Sequence, residues 1–191
     1  QFKWQLLPGA EKKIDKLIRP WIFQPKESEY REMPPVLEYL WPVDLPAKVM
    51  KLHKKMEKTK AITVGGKDIL AANAAVAQSK CLQLASGVVY RYEDPDDPSQ
   101  GRDPIPVHTA KETALETLVE DIGGANVLIL YNYVHEYERL LGLFPDSMDI
   151  ARDRGAIQAW NTRQISVATA HPASMAHGLN LQKGGNILIF F

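Results

Sequence analysis

His171-Pro172-Ala173-Ser174-Met175-Ala176-His177-Gly178-Leu179-Asn180-Leu181-Gln182 stands between two apolar runs. Ile165-Ser166-Val167-Ala168-Thr169-Ala170 precedes it, and Asn186-Ile187-Leu188-Ile189-Phe190-Phe191 follows it after a paired Gly184-Gly185. Both runs are short, β-rich and bounded by turn formers, which is how strands read. A polar loop with a Gly, an Asn and a Gln between them sits where a buried strand ends, and open α/β sheets bind ligands at the carboxyl ends of their strands.

Working back from that loop, Val127-Leu128-Ile129-Leu130-Tyr131 is a continuous apolar run, the pattern of a parallel strand covered on both faces. Thr109–Ile122 reads as a helix with Leu115, Leu118, Val119 and Ile122 on one side, stopped by Gly123-Gly124. Tyr133–Leu141 and Ala151–Trp160 read as two more helices ahead of the strand at Ile165–Ala170. The order from Thr109 is helix, strand, helix, helix, strand, loop, strand, which predicts an α/β fold with a parallel sheet.

Upstream the pattern changes. Residues 9–24 predict a helix, with Ile14, Leu17, Ile18 and Trp21 at spacings of three and four, closed by Pro20 and Pro25. Glu27–Pro35 has linker composition. Val36–Val43 predicts a strand, and Pro46 opens a helix through Lys60 whose apolar stripe is Val49, Leu52 and Met56, with Lys51, Lys54, Lys55 and Lys58 off the stripe. Thr63–Asp68 predicts a turn and Ile69–Leu84 an alanine-rich helix ending near Ser86-Gly87. Tyr92–Pro106, with five acidic residues and four prolines, predicts a solvated loop.

The chain has 191 residues, 45% of them hydrophobic, enough for a substantial core. Lys+Arg and Asp+Glu balance at 23 each, so contact with a polyanion requires a local patch. Cys81 is alone, which excludes an internal disulfide and a cysteine metal cluster and points to a small buried hydrophobe. No charged-then-apolar leader opens the chain and no run approaches a membrane span, so the setting reads as cytosolic without membrane contact. Gln1 is not an initiator, and Phe190-Phe191 closes the chain inside a strand-like run; both ends read as cut from a longer protein.

The stretch from His171 to Gly185 resembles motif V of the Swi/Snf-type helicase-like ATPases of superfamily two, in the form common in phage and prophage proteins, roughly "hPaSxxHGLNLQxGG". His108-Thr109-Ala110-Lys111 resembles the "iHdaKleaL" entry to the second RecA-like lobe, and Val127–Tyr133 resembles the "vLIFynf" strand of motif IV. Ile157-Gln158-Ala159-Trp160-Asn161 resembles the "i..WN.G" element, with Thr162-Arg163 in place of the usual glycine. Leu45-Pro46-Ala47 and Ala74–Gly87 resemble the helical segment joining the two lobes, and Gly9–Ile22 the region after motif III.

The resemblance implies a truncated RecA-like (P-loop NTPase-type) parallel sheet flanked by helices, with an N-terminal helical extension. It divides the chain into a helical segment at 1–35, a linker or protrusion at 36–107, and the C-terminal helicase lobe at 108–191. It implies the second lobe of an ATP-dependent DNA helicase or translocase, a hydrolase acting on ATP, with ATP and Mg2+ bound mainly by the first lobe. Gly178, Leu179, Asn180 and Gln182 would line the nucleotide cleft. Asn132, Tyr133, His171 and Ser174, with Trp160 and Asn161 as weaker candidates, would contact the DNA backbone. The partners implied are DNA, duplex by family precedent, and the first lobe.

No G-x-x-x-x-G-K-[ST] occurs, and Gly65-Gly66-Lys67-Asp68 lacks both the loop length and the hydroxyl of a phosphate-binding loop. Motif VI with its arginine finger is absent, and losing such a finger alone costs ~10³–10⁵ in rate. The chain by itself is therefore expected to be inactive. Each feature also has a structural reading: Asn180 bracing a turn, Asn132 closing a strand end, the lysines from Lys48 to Lys60 forming a solvated face. His171 and His177 lack an intervening carboxylate, which argues against a metal site, and Ser174 lacks the G-x-S-x-G elbow of a nucleophile. The competing functions are a non-catalytic RecA-like nucleic-acid-binding or interaction module and, more remotely, a metabolic α/β domain.

Overall fold

The computed structural model describes residues 7–22, 35–92, 102–175 and 178–191. It falls into two compact units, Gln1–Trp41 and Pro42–Phe191.

In the first unit, helix α1 (Ala10–Ile18) continues into a 3-10 turn at Arg19–Trp21 that carries Pro20. The helix expected over 9–24 is thus shorter, because Pro20 has no N–H to continue it. No residue of α1 is buried, and Trp21 is 88% exposed. The strand expected at Val36–Val43 is not formed. Its residues have no regular structure, with Leu40 99% exposed. Apolar character makes a strand only where a neighbour can take the backbone hydrogen bonds, and among the described residues no strand pairs with this segment.

The second unit begins with α2 (Ala47–Thr59), Pro46 at its N-cap and Lys60 left-handed at its C-cap. Val49 and Met56 of the predicted stripe are buried. Strands β1 (Ala61–Val64) and β2 (Lys67–Leu70) form a hairpin whose two-residue turn, Gly65-Gly66, has φ of +56° and +77°. Two positive φ values in succession suit glycine and match the twist of the flanking strands. Helix α3 (Ala74–Ala85) starts five residues later than expected, because Ile69 and Leu70 belong to β2 and Asn73 caps the helix by accepting from the Val76 N–H at 3.0 Å.

Strands β3 (Val88–Tyr92) and β4 (Arg102–Pro106) pair antiparallel, so the expected loop at Tyr92–Pro106 is a strand in its last third. Its residues 93–101 lie outside the described residues. The register places Pro104 opposite Tyr90 and Pro106 opposite Val88. The Tyr90 N–H turns away from β4 to Gln83 Oε1 (3.1 Å), so these are the non-hydrogen-bonded positions, where a proline costs the ladder nothing. Val49, Met56, Ile62, Ile69, Leu84, Val89 and Ile105 form the core here. Cys81 is buried among them, its thiol pushed up by desolvation and, second, by the charge of Glu57.

The remaining elements are α4 (Ala110–Asp121), β5 (Val127–Leu130), α5 (Val134–Leu143), β6 (Met148–Asp149), α6 (Ala156–Asn161), β7 (Val167–Ala170), the single turn α7 (Pro172–Met175) and β8 (Ile187–Phe190). The four strands make a parallel sheet in the order β6-β7-β5-β8. The two-residue strand β6 is too short to carry a sequence signal, and Ala151–Trp160 is helical only from Ala156.

Every residue of β5 is buried, as the continuous apolar run predicts. Leu128 and Leu130 pack with Ala156 and Trp160 of α6 on one face, whereas Val127 and Ile129 pack with Leu115 of α4 and Leu140 of α5 on the other. The result is a mixed α/β fold with a parallel sheet sandwiched by helices. Among the described residues no helix is long and apolar enough to cross a membrane.

Candidate nucleotide and nucleic-acid surface

The sequence-predicted residues gather in two places. At the carboxyl ends of β5 and β7 lie Tyr131, Asn132, Tyr133, His171 and Ser174. Tyr131 is 2% exposed, and its hydroxyl donates to Asp149 Oδ2 at 2.7 Å. Desolvation and then this hydrogen bond push the phenol well above its usual value, so it stays protonated. Asp149 is fully buried and satisfied, because its Oδ1 accepts the Ala151 and Arg152 N–H groups at 2.9 and 3.0 Å. It is an anchor for the turn after β6 rather than a reactive carboxylate.

The amino end of α5 is occupied from within. Glu136, 1% exposed, accepts the Asn132 N–H (2.9 Å) and the Tyr133 N–H (3.0 Å) on Oε2 and the Lys111 ammonium (3.2 Å) on Oε1. Free backbone N–H groups at a helix start form a ready phosphate cradle; here a buried carboxylate fills it. What this edge presents to solvent is side chains instead. The Asn132 side chain is exposed, and the Tyr133 ring lies half-buried, stacked on His135 at 5.2 Å.

His171 sets its edge against Tyr131 at a centroid distance of 5.8 Å, and its Nδ1 accepts the Ala173 N–H at 3.3 Å. An accepting Nδ1 leaves the proton of the neutral ring on Nε2. Ser174 Oγ donates to His171 O at 2.8 Å, so its hydroxyl hydrogen is already committed. One cation at this edge is not apparent from the sequence: Arg152 is exposed, with its guanidinium 4.2 Å above the Tyr137 ring. It lies in a turn between two acidic residues, which gives it no motif.

The second group lies along the crossover from β7 to β8. Trp160 is 1% exposed, and its Nε1 donates to Leu181 O at 2.9 Å. Its indole belongs to the core beneath the crossover, and a buried ring cannot meet a nucleic acid; the position is a brace. Asn161 Nδ2 donates to Asn180 O at 2.8 Å, and Asn126 Nδ2 to Gly184 O at 2.9 Å. The Gly184-Gly185 pair follows from the same packing. A Cβ on Gly184 would collide with the Trp160 indole at Nε1, and one on Gly185 would stand 2.8 Å from Asn126 O.

The crossover backbone is thus held at Asn180, Leu181 and Gly184, with Leu181 packed on the core and its neighbours open to solvent. Gly178 has φ +76° with open space where a Cβ would point, Leu179 is 37% exposed, and Asn180 and Gln182 are exposed. Asn180 Oδ1 accepts the Gln182 N–H at 3.3 Å. Ala176 and His177 lie outside the described residues. Among the described residues no group of His, Cys, Asp and Glu is arranged to hold a metal ion.

Over 149 residues the chain is 43% identical to protein p41 of Acyrthosiphon pisum secondary endosymbiont phage 1, an alignment that takes in 78% of this chain and 31% of that protein. The chain therefore spans about a third of the length of this phage relative. No protein-family model matches the chain.

Proposed function

We propose that residues 108–191 form the second, C-terminal RecA-like lobe of an ATP-dependent DNA helicase or translocase that works in the bacterial cytoplasm and is phage-encoded or prophage-derived. The parallel sheet flanked by helices is compatible with such a lobe, and the similarity to a phage protein fits the origin. The observation that carries the reading is the braced crossover. Trp160, Asn161 and Asn126 hold the backbone of Asn180, Leu181 and Gly184, so Asn180 and Gln182 stand on a braced backbone with their outer sides uncovered, and Gly178 is exposed beside them.

A loop that senses nucleotide needs both properties, since preorganised donors contribute most when nothing must rearrange to use them. In this reading ATP and Mg2+ are held chiefly by the first lobe, and the crossover completes the cleft from the other side. Asn180 offers a donor and an acceptor there. Asn132 and His171 offer side-chain donors to DNA phosphates at the carboxyl edge, with Arg152 as a further cationic contact; such contacts position the lobe without reading sequence. Closing and opening of the two lobes would then move the protein along the duplex.

The test is ATP turnover by the full gene product, with and without duplex DNA, with this 191-residue chain as the inactive reference. DNA-stimulated turnover that falls roughly 10- to 100-fold on Asn180→Ala, the range of one lost hydrogen bond to a charged group, supports the motor. A folded gene product without turnover under either condition leaves the non-catalytic nucleic-acid-binding module as the reading.

A further inference from the structure

Helix α2 carries five lysines and a single acidic residue, Glu57, in a chain whose net charge is zero. At 3.6 residues per turn, Lys48, Lys51, Lys54, Lys55 and Lys58 fall within an arc of about 120°. That arc lies opposite the buried seam of Val49 and Met56, and all five lysines are exposed. The stripe runs about 15 Å along the helix at 1.5 Å per residue. Glu57 lies off it and faces His53 at 3.6 Å.

This arrangement is unfavourable for the helix taken alone. Lys48–Lys51, Lys51–Lys55, Lys54–Lys58 and their neighbours are like-charged pairs at i,i+3 and i,i+4, which repel. Lys48 opposes the helix dipole in a first turn that holds no acidic residue. Among the described residues none of the five takes part in an ion pair. Helix α1 differs, since Glu11 and Asp15 are interspersed among its lysines.

We propose that this stripe is a nucleotide-independent contact for the phosphate backbone of duplex DNA, separate from the loops at the sheet. Charge complementarity chooses the partner. A linear row of cations matches a linear polyanion, and B-DNA carries one charge per roughly 1.7 Å of its axis, so several phosphates lie within reach of the stripe. A membrane surface fits poorly, because a helix that lies in a bilayer interface inserts its apolar face, and that face of α2 is buried in the core. The choice of duplex DNA rests on the proposed function; the presence of a polyanion site does not.

The experiment measures binding of the full gene product to a fluorescein-labelled duplex of mixed sequence, without nucleotide, between about 0.05 and about 0.2 M salt. The triple variant K51Q/K54Q/K58Q is expected to bind roughly tenfold or more weakly, with a slope of log K against log salt shallower by about 2 to 3. The triple Lys→Arg variant is expected to keep both values. If the triple Gln variant fails to fold, K51Q and K58Q singly serve, each expected to remove about one unit of slope.

Unchanged affinity and slope in the Gln variants overturn the proposal even if turnover is DNA-stimulated. Loss of binding to phosphatidylserine vesicles with duplex binding intact overturns it in favour of a membrane contact. A flattened slope in a gene product that hydrolyses no ATP upholds the stripe and rejects the motor.

Discussion

The region of residues 42–107 and the sheet of residues 108–191 satisfy their buried backbones in different ways. In the sheet, β5 and β7 each have a strand on both sides, and aliphatic side chains cover both faces. In the earlier region, among the described residues, β3 has only β4 beside it, and side chains from α3 serve its other edge. Gln83 accepts the Tyr90 N–H, and Lys80 donates to the Tyr90 carbonyl at 2.6 Å. Lys80 is 1% exposed and Gln83 4%, so a polar cluster stands where another strand would.

The same polar chemistry joins the two regions. Ser86 Oγ meets His135 Nε2 at 2.8 Å, Tyr90 Oη lies 3.0 Å from His135 Nδ1, and Arg139 donates to His108 O at 2.6 Å and to Ser86 O at 3.3 Å while pairing with Glu112. Aliphatic contacts tolerate substitutions of similar volume, whereas a buried polar cluster fails when one member is removed. The sheet should therefore be forgiving and the junction strict.

Arg139→Ala tests this most severely. It leaves the Glu112 carboxylate, 5% exposed, without its cation and two carbonyls without a donor. The expected loss is about 3–5 kcal/mol in urea unfolding, against less than about 1.5 kcal/mol for Leu128→Met in the sheet. Equal losses would end the distinction. The double change Arg139→Met with Glu112→Leu should recover much of the loss, since the penalty lies in the stranded charge.

A smaller and pH-dependent effect is expected at His135. Burial is the main cause that lowers its pKa from 6.5 to about 4. The folded state therefore holds the ring neutral, while the unfolded chain binds a proton below about pH 6.5. The unfolded state is the better proton binder in that window, so His135's contribution is complete above about pH 6.5 and is lost as the pH falls towards about 4. Across the window the loss amounts to roughly 3 kcal/mol. His135→Gln should lower stability at pH 7 yet flatten the acid limb by about that amount; urea midpoints at several pH values on both proteins decide it. Parallel acid limbs would mean that His135 is solvated at the junction.

The difference between the regions also explains what the sequence could reveal. Val127–Tyr131 announces its strand because burial on both faces demands an unbroken apolar run. Arg102–Pro106 conceals its strand because Pro104 and Pro106 read as breakers until the register shows that their missing N–H groups are not needed. Val36–Val43 is apolar enough for a strand, but pairing is a property of a partner that composition does not supply.

The site divides likewise. Gly178, Asn180 and Gln182 are legible as a loop because they fall within one short continuous stretch. The pairing of Trp160 with Gly184 is visible only as two separate local signals, an indole and a double glycine. His135 with Ser86 and Tyr90 leaves no trace, because those contacts span 49 and 45 residues of chain.

The smallest effect asks whether the junction makes the two regions one cooperative unit. Asn73 caps α3 through a single hydrogen bond, far in sequence from the sheet. Asn73→Ala should cost about 1 kcal/mol, the usual value of such a cap. If the polar junction couples the regions, the amides of Ile129 in β5 and Ala168 in β7 exchange faster by the same free energy, roughly fivefold, because they open only in global unfolding. If the regions unfold separately, exchange accelerates in α3 and β3 while Ile129 and Ala168 keep their wild-type protection. The second result would make the junction a contact between independent modules, and Arg139→Ala would then have to uncouple nothing. Hydrogen exchange on the Asn73→Ala and Arg139→Ala proteins side by side therefore separates a junction that transmits stability from one that merely joins two surfaces.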